Sequence, residues 1–199
     1  MLLAVVLIIA LVSIALLGFF PGTASDSQIA ESQIYWKSAN PLTVIETGNA
    51  YVRPNSGGWH SVILKIRNSG SFPIRLLNIL GGGNNMSQYF ECTNPPACGS
   101  GTYHSMSDIY LAPGEETCFG GQGVPGNYCV QHLIGIFPVN TSVPVANIAA
   151  ADGVCDNQGN GVLSVKQFGF EYVVYIESAT ITKRQVGSKP LLFRCAGTF

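Results

Sequence analysis

Six cysteines are the most reactive side chains in this 199-residue chain: Cys92, Cys98, Cys118, Cys129, Cys155 and Cys195. Cysteines used in groups either ligate a metal or oxidise to disulfides. A zinc site needs closely paired thiolates, or a thiolate pair with histidines a few residues apart. The chain has no Cys-x-x-Cys pair, and His60, His104 and His132 stand at no finger spacing from a cysteine pair. An even count in an exported chain points to disulfides. Spacing leaves the connectivity open. Nearest-neighbour order pairs Cys92 with Cys98, Cys118 with Cys129, and Cys155 with Cys195, which closes the largest loop. Each such bridge contributes about 2–4 kcal/mol. Neither a metal nor a cofactor is expected.

Other residue types suggest weaker chemistry. Two N-glycosylation sequons occur, Asn85-Met86-Ser87 and Asn140-Thr141-Ser142, both beside turn-rich sequence where an acceptor is reachable. His104 lies near Ser105, Ser107 and Asp108, the residue types of a hydrolytic triad. Residues adjacent in sequence rarely form one, however, and no G-x-S-x-G elbow is present, so the chain is not expected to be an enzyme. The run Asp156-Asn157-Gln158-Gly159-Asn160-Gly161 is similar to the opening of an EF-hand loop. Its third position is Gln158, and its twelfth, where a bidentate glutamate belongs, is Gln167. It reads as an ordinary polar turn. Glu115 and Glu116 follow Pro113-Gly114 as a solvated turn.

The elements that would position these residues are mostly strands. Residues 42–53 alternate loosely. In residues 59–68, Val62, Leu64 and Ile66 share one face, and Ile63, Lys65 and Arg67 the other. Asn68-Ser69-Gly70 then turns the chain into a strand over 72–80, which predicts a hairpin. A short strand is expected at 108–111, and residues 129–137 are apolar enough for a central strand. Residues 162–178 carry the strongest strand pattern, with Gly169 marking a bulge. Residues 179–185 and 190–195 complete the sheet. Tyr172 and Tyr175 fall on opposite faces. Many short strands with frequent Gly and Pro turns argue for a β-sandwich.

The N-terminus is different. Residues 1–20 read MLLAVVLIIALVSIALLGFF, uncharged and apolar except for Ser13 and a glycine. A helix of this length spans roughly 30 Å, the thickness of a bilayer core. A helix apolar on every side must be buried on every side, in lipid or inside an assembly. Ala4, Leu11, Ala15 and Gly18 lie close together on its surface, where small residues admit close helix packing. Three origins compete. A signal peptide would have a basic n-region and a shorter core. A membrane anchor would have a basic flank, yet the first cation is Lys37. A chain whose basic leader had been removed would start with the apolar helix. Pro21-Gly22 is expected to break or kink that helix. Residues 23–38 read as a second helical piece, with a capping box at Ser25 and Gln28 and an inner face of Ile29, Ala30, Ile34 and Trp36. The chain thus divides into 1–38, with a kink near Pro21, and a head of 39–199.

Composition narrows the function. Formal net charge is -1, and only 11% of residues are charged, against about 25% in typical domains. No basic patch points to nucleic acid.

The leaderless apolar stretch, Pro21 at its end and the segment SVILKIRNSGSFPIRLLNILGG together resemble mature archaeal type IV pilins of the pilin and archaellin superfamily. Bacterial pilins usually carry glutamate at the fifth mature position, where this chain has Val5. The resemblance implies an α+β fold, a long N-terminal apolar α-helix followed by a disulfide-stapled immunoglobulin-like β-sandwich. It implies a structural subunit of an extracellular, glycosylated pilus that serves adhesion to host or abiotic surfaces. Identical subunits would be its partners in a helical homopolymer, after membrane residence before assembly. The polymerisation surface would comprise Leu2, Leu3, Ala4, Val5, Leu7, Ile8, Leu11, Ile14, Ala15, Leu17, Gly18, Phe19 and Phe20, with Ile29 and Ile34 joining the core. The alternatives are an archaellin-type motility filament and a membrane-anchored monomeric surface-binding domain.

Overall fold

The computed structural model describes residues 21–52, 60–92, 101–119, 132–133, 135–138, 149–151, 155, 161–177 and 179–198. Its α-helix, α1, runs from Pro21–Lys37 and is seventeen residues long. The chain is helical from Pro21 onward, so Pro21-Gly22 does not end helicity on its C-terminal side. Ser25 lies inside α1, so it is not the N-cap expected from Gln28. Lys37 in the last turn complements the helix dipole. Past it, Ser38 donates from its backbone N–H to the Ile34 carbonyl and from its hydroxyl to the Tyr35 carbonyl. Asn40-Pro41 then prevents continuation.

Strands follow. They are β1 (Leu42–Val52), β2 (His60–Asn68), β3 (Ile74–Gly81), β4 (Asn84–Met86), β5 (Gln88–Cys92), β6 (Gly101–Ser105), β7 (Tyr110–Leu111) and β8 (Glu116–Phe119). After these come β9 (His132–Leu133), β10 (Gly135–Pro138), β11 (Ala149–Ala151), β12 (Val162–Val165), β13 (Gly169–Ile176), β14 (Ala179–Val186) and β15 (Leu191–Thr198). They form three sheets. The seven-stranded sheet has the order β11-β10-β2-β1-β15-β12, with β8 also paired to β2. The five-stranded sheet runs β14-β13-β3-β4, with β7 also on β3, and the three-stranded sheet runs β6-β5-β9.

The two larger sheets share one core. Leu64 and Ile66 of β2, Val44 of β1 and Phe193 of β15 cluster with Leu76 of β3 and Phe170 of β13. The alternation read in β2 holds in part: Val62, Leu64 and Ile66 are buried and Arg67 is exposed, but Ile63, read on the same face as Lys65 and Arg67, is buried too.

The expected long apolar helix on an immunoglobulin-like β-sandwich is corrected by these findings. α1 is short, and Asp26, Gln28, Glu31 and Ile34 on it are exposed. Its length and polarity rule out burial on every side. The apolar run that prompted the expectation, residues 1–20, lies outside the described residues. The strands make three sheets, and two pairings, β1 with β15 and β10 with β11, are parallel. Closely spaced turn residues cut much of the chain into strands of two to five residues.

Smaller expectations also change. β2 and β3 are not a hairpin, because they belong to different sheets. Asn68 is fully buried at that corner, and its amide holds it. Nδ2 donates to the Phe72 and Leu111 carbonyls at 2.8 and 3.0 Å, and Oδ1 accepts from the Gly70 N–H at 3.0 Å. β3 instead forms a hairpin with β4, turned by Gly82 and Gly83 at φ 56° and 84°, the left-handed pair that a two-residue hairpin requires. Residues 162–178 divide into β12 and β13, in different sheets. The register shift in β13 falls between Glu171 and Tyr172, not at Gly169. Gly169 instead admits the β14 backbone, since a Cβ there would sit 2.1 Å from the Gln185 carbonyl oxygen. Residues 132–138 likewise serve two sheets, as β9 and β10. Residues 106–108 form a 3-10 turn before β7.

Candidate functional site at the junction of helix and head

α1 is tied to the head by a stripe at helical spacing. Ile29, Ser32 and Trp36 are buried at positions i, i+3 and i+7. Ile29 and Trp36 match the inner face read from sequence. Ala30 and Ile34 do not: Ala30 is exposed, and Ile34 is 68% exposed. Ser32 takes the central place, because its hydroxyl bridges the incoming edge of β15. It donates to the Pro190 carbonyl at 2.8 Å and accepts from the Leu192 N–H at 3.1 Å. A hydroxyl can do both at once.

Trp36 is the anchor. It is fully buried and packs edge-on against Phe168 at 4.9 Å and Tyr35 at 5.3 Å between ring centroids. Such edge contacts add about 0.5–1.5 kcal/mol beyond the area buried. Its indole N–H makes no hydrogen bond among the described residues, so the position is held by shape. Gly187 completes that shape. A Cβ on it would lie 2.3 Å from Trp36 Cζ2, inside the ring's own volume.

A polar rim surrounds the stripe. Gln33 donates to Thr47 Oγ1 at 3.0 Å, Lys189 pairs with Glu31 at 3.1 Å and Arg194 with Asp26 at 2.6 Å. Both ion pairs are solvent-exposed and worth little singly. The Ser188 hydroxyl and N–H both donate to the Tyr35 hydroxyl, which holds that phenol below the usual tyrosine range. The connection from α1 to β1 spans only residues 38–41. The arrangement fixes a helix on a β-head.

A disulfide, Cys155–Cys195, with Cα atoms 5.3 Å apart, reaches the same strand, β15. Cys195 lies on β15 opposite Ala50 of β1, so the bridge staples the strand that receives the helix. Cys118 on β8 is also disulfide-bonded. Cys98 and Cys129 lie outside the described residues, so the Cys92–Cys98 and Cys118–Cys129 pairings do too. Asn85 is exposed on β4 at the edge of the five-stranded sheet. Asn140 lies outside the described residues, as do Asp156 to Asn160 of the EF-hand-like run and every polymerisation residue from Leu2 to Phe20.

The triad-like residues are local structure. Ser105 Oγ accepts from the Ser107 N–H, while the Asp108 carboxylate accepts from the Ser105 N–H, a capping box on the 3-10 turn. His104 stacks on Tyr89 at 5.5 Å. No group of three His, Cys, Asp or Glu side chains gathers as for a metal among the described residues. No helix among them is long and apolar enough to cross a membrane.

Ser32, Gly187 and the Tyr35–Ser188 contact were not foreseen from sequence. Ser32 had a signal, since it stands three residues after Ile29 and four before Trp36, on their face. Gly187 carried no comparable signal, because its role depends on where the Trp36 ring packs. A scan of protein-family models and a search of curated proteins returned no match to this chain.

Proposed function

We propose that this chain is the structural subunit of an extracellular filament, assembled through its apolar residues 1–20. The observation that supports this is the junction. The segment directly following the apolar run is a helix packed into the head by Trp36 and Ser32, joined to β1 with no intervening stalk. Tension applied through residues 1–20 would pass into a disulfide-stapled sheet rather than into a free linker. The driving force would be burial of apolar surface, at about 25 cal/mol per Å². A head poor in charge suits close lateral packing of identical subunits, because few charges must be desolvated. Adhesion is the role such a polymer best fits.

Microscopy of material sheared from the cells, with mass spectrometry of its protein, tests this reading. Filaments composed mainly of this chain are expected. Removing residues 1–20 should give a soluble monomer under oxidising conditions that forms none. Protein confined to the membrane fraction, with no filament, overturns the reading in favour of an anchored surface domain.

A further inference from the structure

A second feature lies beside the α1–β1 connection, where Asn40 and Pro41 meet the residues after Asn68. A cleft of about 400 Å³ opens there, between the Asn68 corner and the inner face of β13 and β14. That volume falls within the range of small-molecule sites. Ile74, Val174 and Ile176 supply apolar wall, and Phe72, 47% exposed, forms a lip. The polar groups are few. Asn40, Ser69 and Ser71 sit among the lining residues, and Lys183 is the one side chain there that carries charge.

Tyr172 decides what the cleft is for. The residue is only 3% exposed and lines the cleft, yet its hydroxyl makes no hydrogen bond among the described residues. Buried tyrosine hydroxyls normally find a partner. The hydroxyl is not sealed from solvent either. Among the described residues, the Trp36 indole nitrogen is the side-chain atom both sealed and unpartnered. The phenol therefore has its polar end toward accessible space. Burial raises its pKa, so it remains an O–H donor at neutral pH. Lys183 stands directly opposite Tyr172 on β14, a placement that brings Cβ atoms to about 5 Å. It makes no ion pair among the described residues. Two donors, one of them cationic, thus stand side by side over an apolar wall, with no carboxylate among the lining residues to compete.

We propose that this cleft binds a small amphipathic carboxylate, its apolar part against Ile74, Val174 and Ile176 and its carboxylate between the Tyr172 hydroxyl and the Lys183 ammonium. One ammonium balances one negative charge, which favours a carboxylate over a doubly charged phosphate. The proposal does not rest on the filament reading.

The test uses the full chain in nanodiscs of zwitterionic lipid and a fluorinated phenylpropionate, followed by fluorine NMR. The corresponding fluorinated alcohol is the control for apolar binding and for partition into lipid. Saturable binding of the acid is expected, tighter than that of the alcohol. Lys183→Gln should weaken the acid about tenfold, the scale of one charge-assisted hydrogen bond, and abolish its advantage over the alcohol. Tyr172→Phe should weaken the acid several-fold and leave the alcohol nearly unchanged. Lys183 is exposed, so that variant keeps the test meaningful if Tyr172→Phe fails to fold. Acid and alcohol binding alike to the parent, no saturation, or an unchanged acid affinity in Lys183→Gln would each overturn the proposal.

Discussion

Strands β14 and β15 are eight residues each and follow one another in the chain, joined through residues 187–190. Their surroundings are opposite. β15 lies between β1 and β12 in the seven-stranded sheet, under α1, with Leu191 and Phe193 fully buried. β14 is the edge of the five-stranded sheet, and every residue on it except Gln185 is exposed. That residue reaches across to β1, where its amide donates to the Leu42 carbonyl and accepts from the Leu42 N–H. Strand propensity does not separate the two, since threonine, isoleucine and valine favour strands as phenylalanine does. What separates them is the sheet position each takes. The helix, the disulfide and the core all converge on β15. β14 offers an open edge guarded by Lys183 and Arg184, a common defence against edge-to-edge pairing.

The largest test of this contrast removes the anchor above β15. Trp36→Ala should cost about 3–5 kcal/mol, the usual loss for truncating a buried aromatic ring, read by chemical denaturation. Trp36→Phe should cost clearly less, because it also removes an indole N–H that has no partner. If the two variants were equally unstable, the unpartnered N–H would carry no penalty.

Next in size is the staple. Replacing Cys155 and Cys195 by alanine should cost about 2–4 kcal/mol for a bridge of this span, which joins residues 40 positions apart. The loss should appear as faster proteolysis near β15 before any change on β14.

How far this contrast was legible in the sequence depends on the kind of signal. The alternation of Val62, Leu64 and Ile66 carried through to the core because a period of two fixes faces directly. Asn68-Ser69-Gly70 marked a turn correctly, but a turn signal does not say whether the next strand pairs or crosses to another sheet. The buried Asn68 amide, joined to Leu111 far along the chain, made it a crossing. Residues 162–178 read as one strand because β-branched and aromatic residues run through it. The break at Gln167, φ 51°, carried no proline or glycine of its own. In α1, Ile34 attracted attention by hydrophobicity, while the phase was set by Ser32, a polar residue chosen by what it bonds. Neither Tyr172 nor Lys183 could be paired from sequence, because their contact depends on the β13–β14 register.

Gly187 stands between the two strands and offers a test of intermediate size. Gly187→Ala places a methyl group inside the Trp36 ring's space, and overpacking of this kind costs about 1–3 kcal/mol. The loss should shrink in a Trp36→Phe background, which vacates that space. A double-mutant cycle measured by denaturation would show this coupling; additive losses would mean that the ring and the glycine do not meet.

The smallest effect separates the charges of the two sheets. On the seven-stranded sheet, Glu116 of β8 pairs across to Lys65 at 2.6 Å and to Arg67. Lys65 first and Arg67 second hold its carboxyl below the ordinary carboxylate range. On β14, by contrast, Lys183 and Arg184 make no ion pair among the described residues. A carboxylate whose pKa is lowered by folding stabilises the fold above its unfolded value and ceases to do so as pH falls through its folded value. The Tm advantage of the parent over Glu116→Gln should therefore be present at neutral pH. It should fade as pH drops through and below the carboxylate range, and added salt should reduce it, because the pair is solvent-exposed. Arg184→Gln should show no such trend, since no carboxylate partner is lost with it. A difference for Glu116→Gln that persisted at low pH would show that packing, and not charge, distinguishes this position from β14.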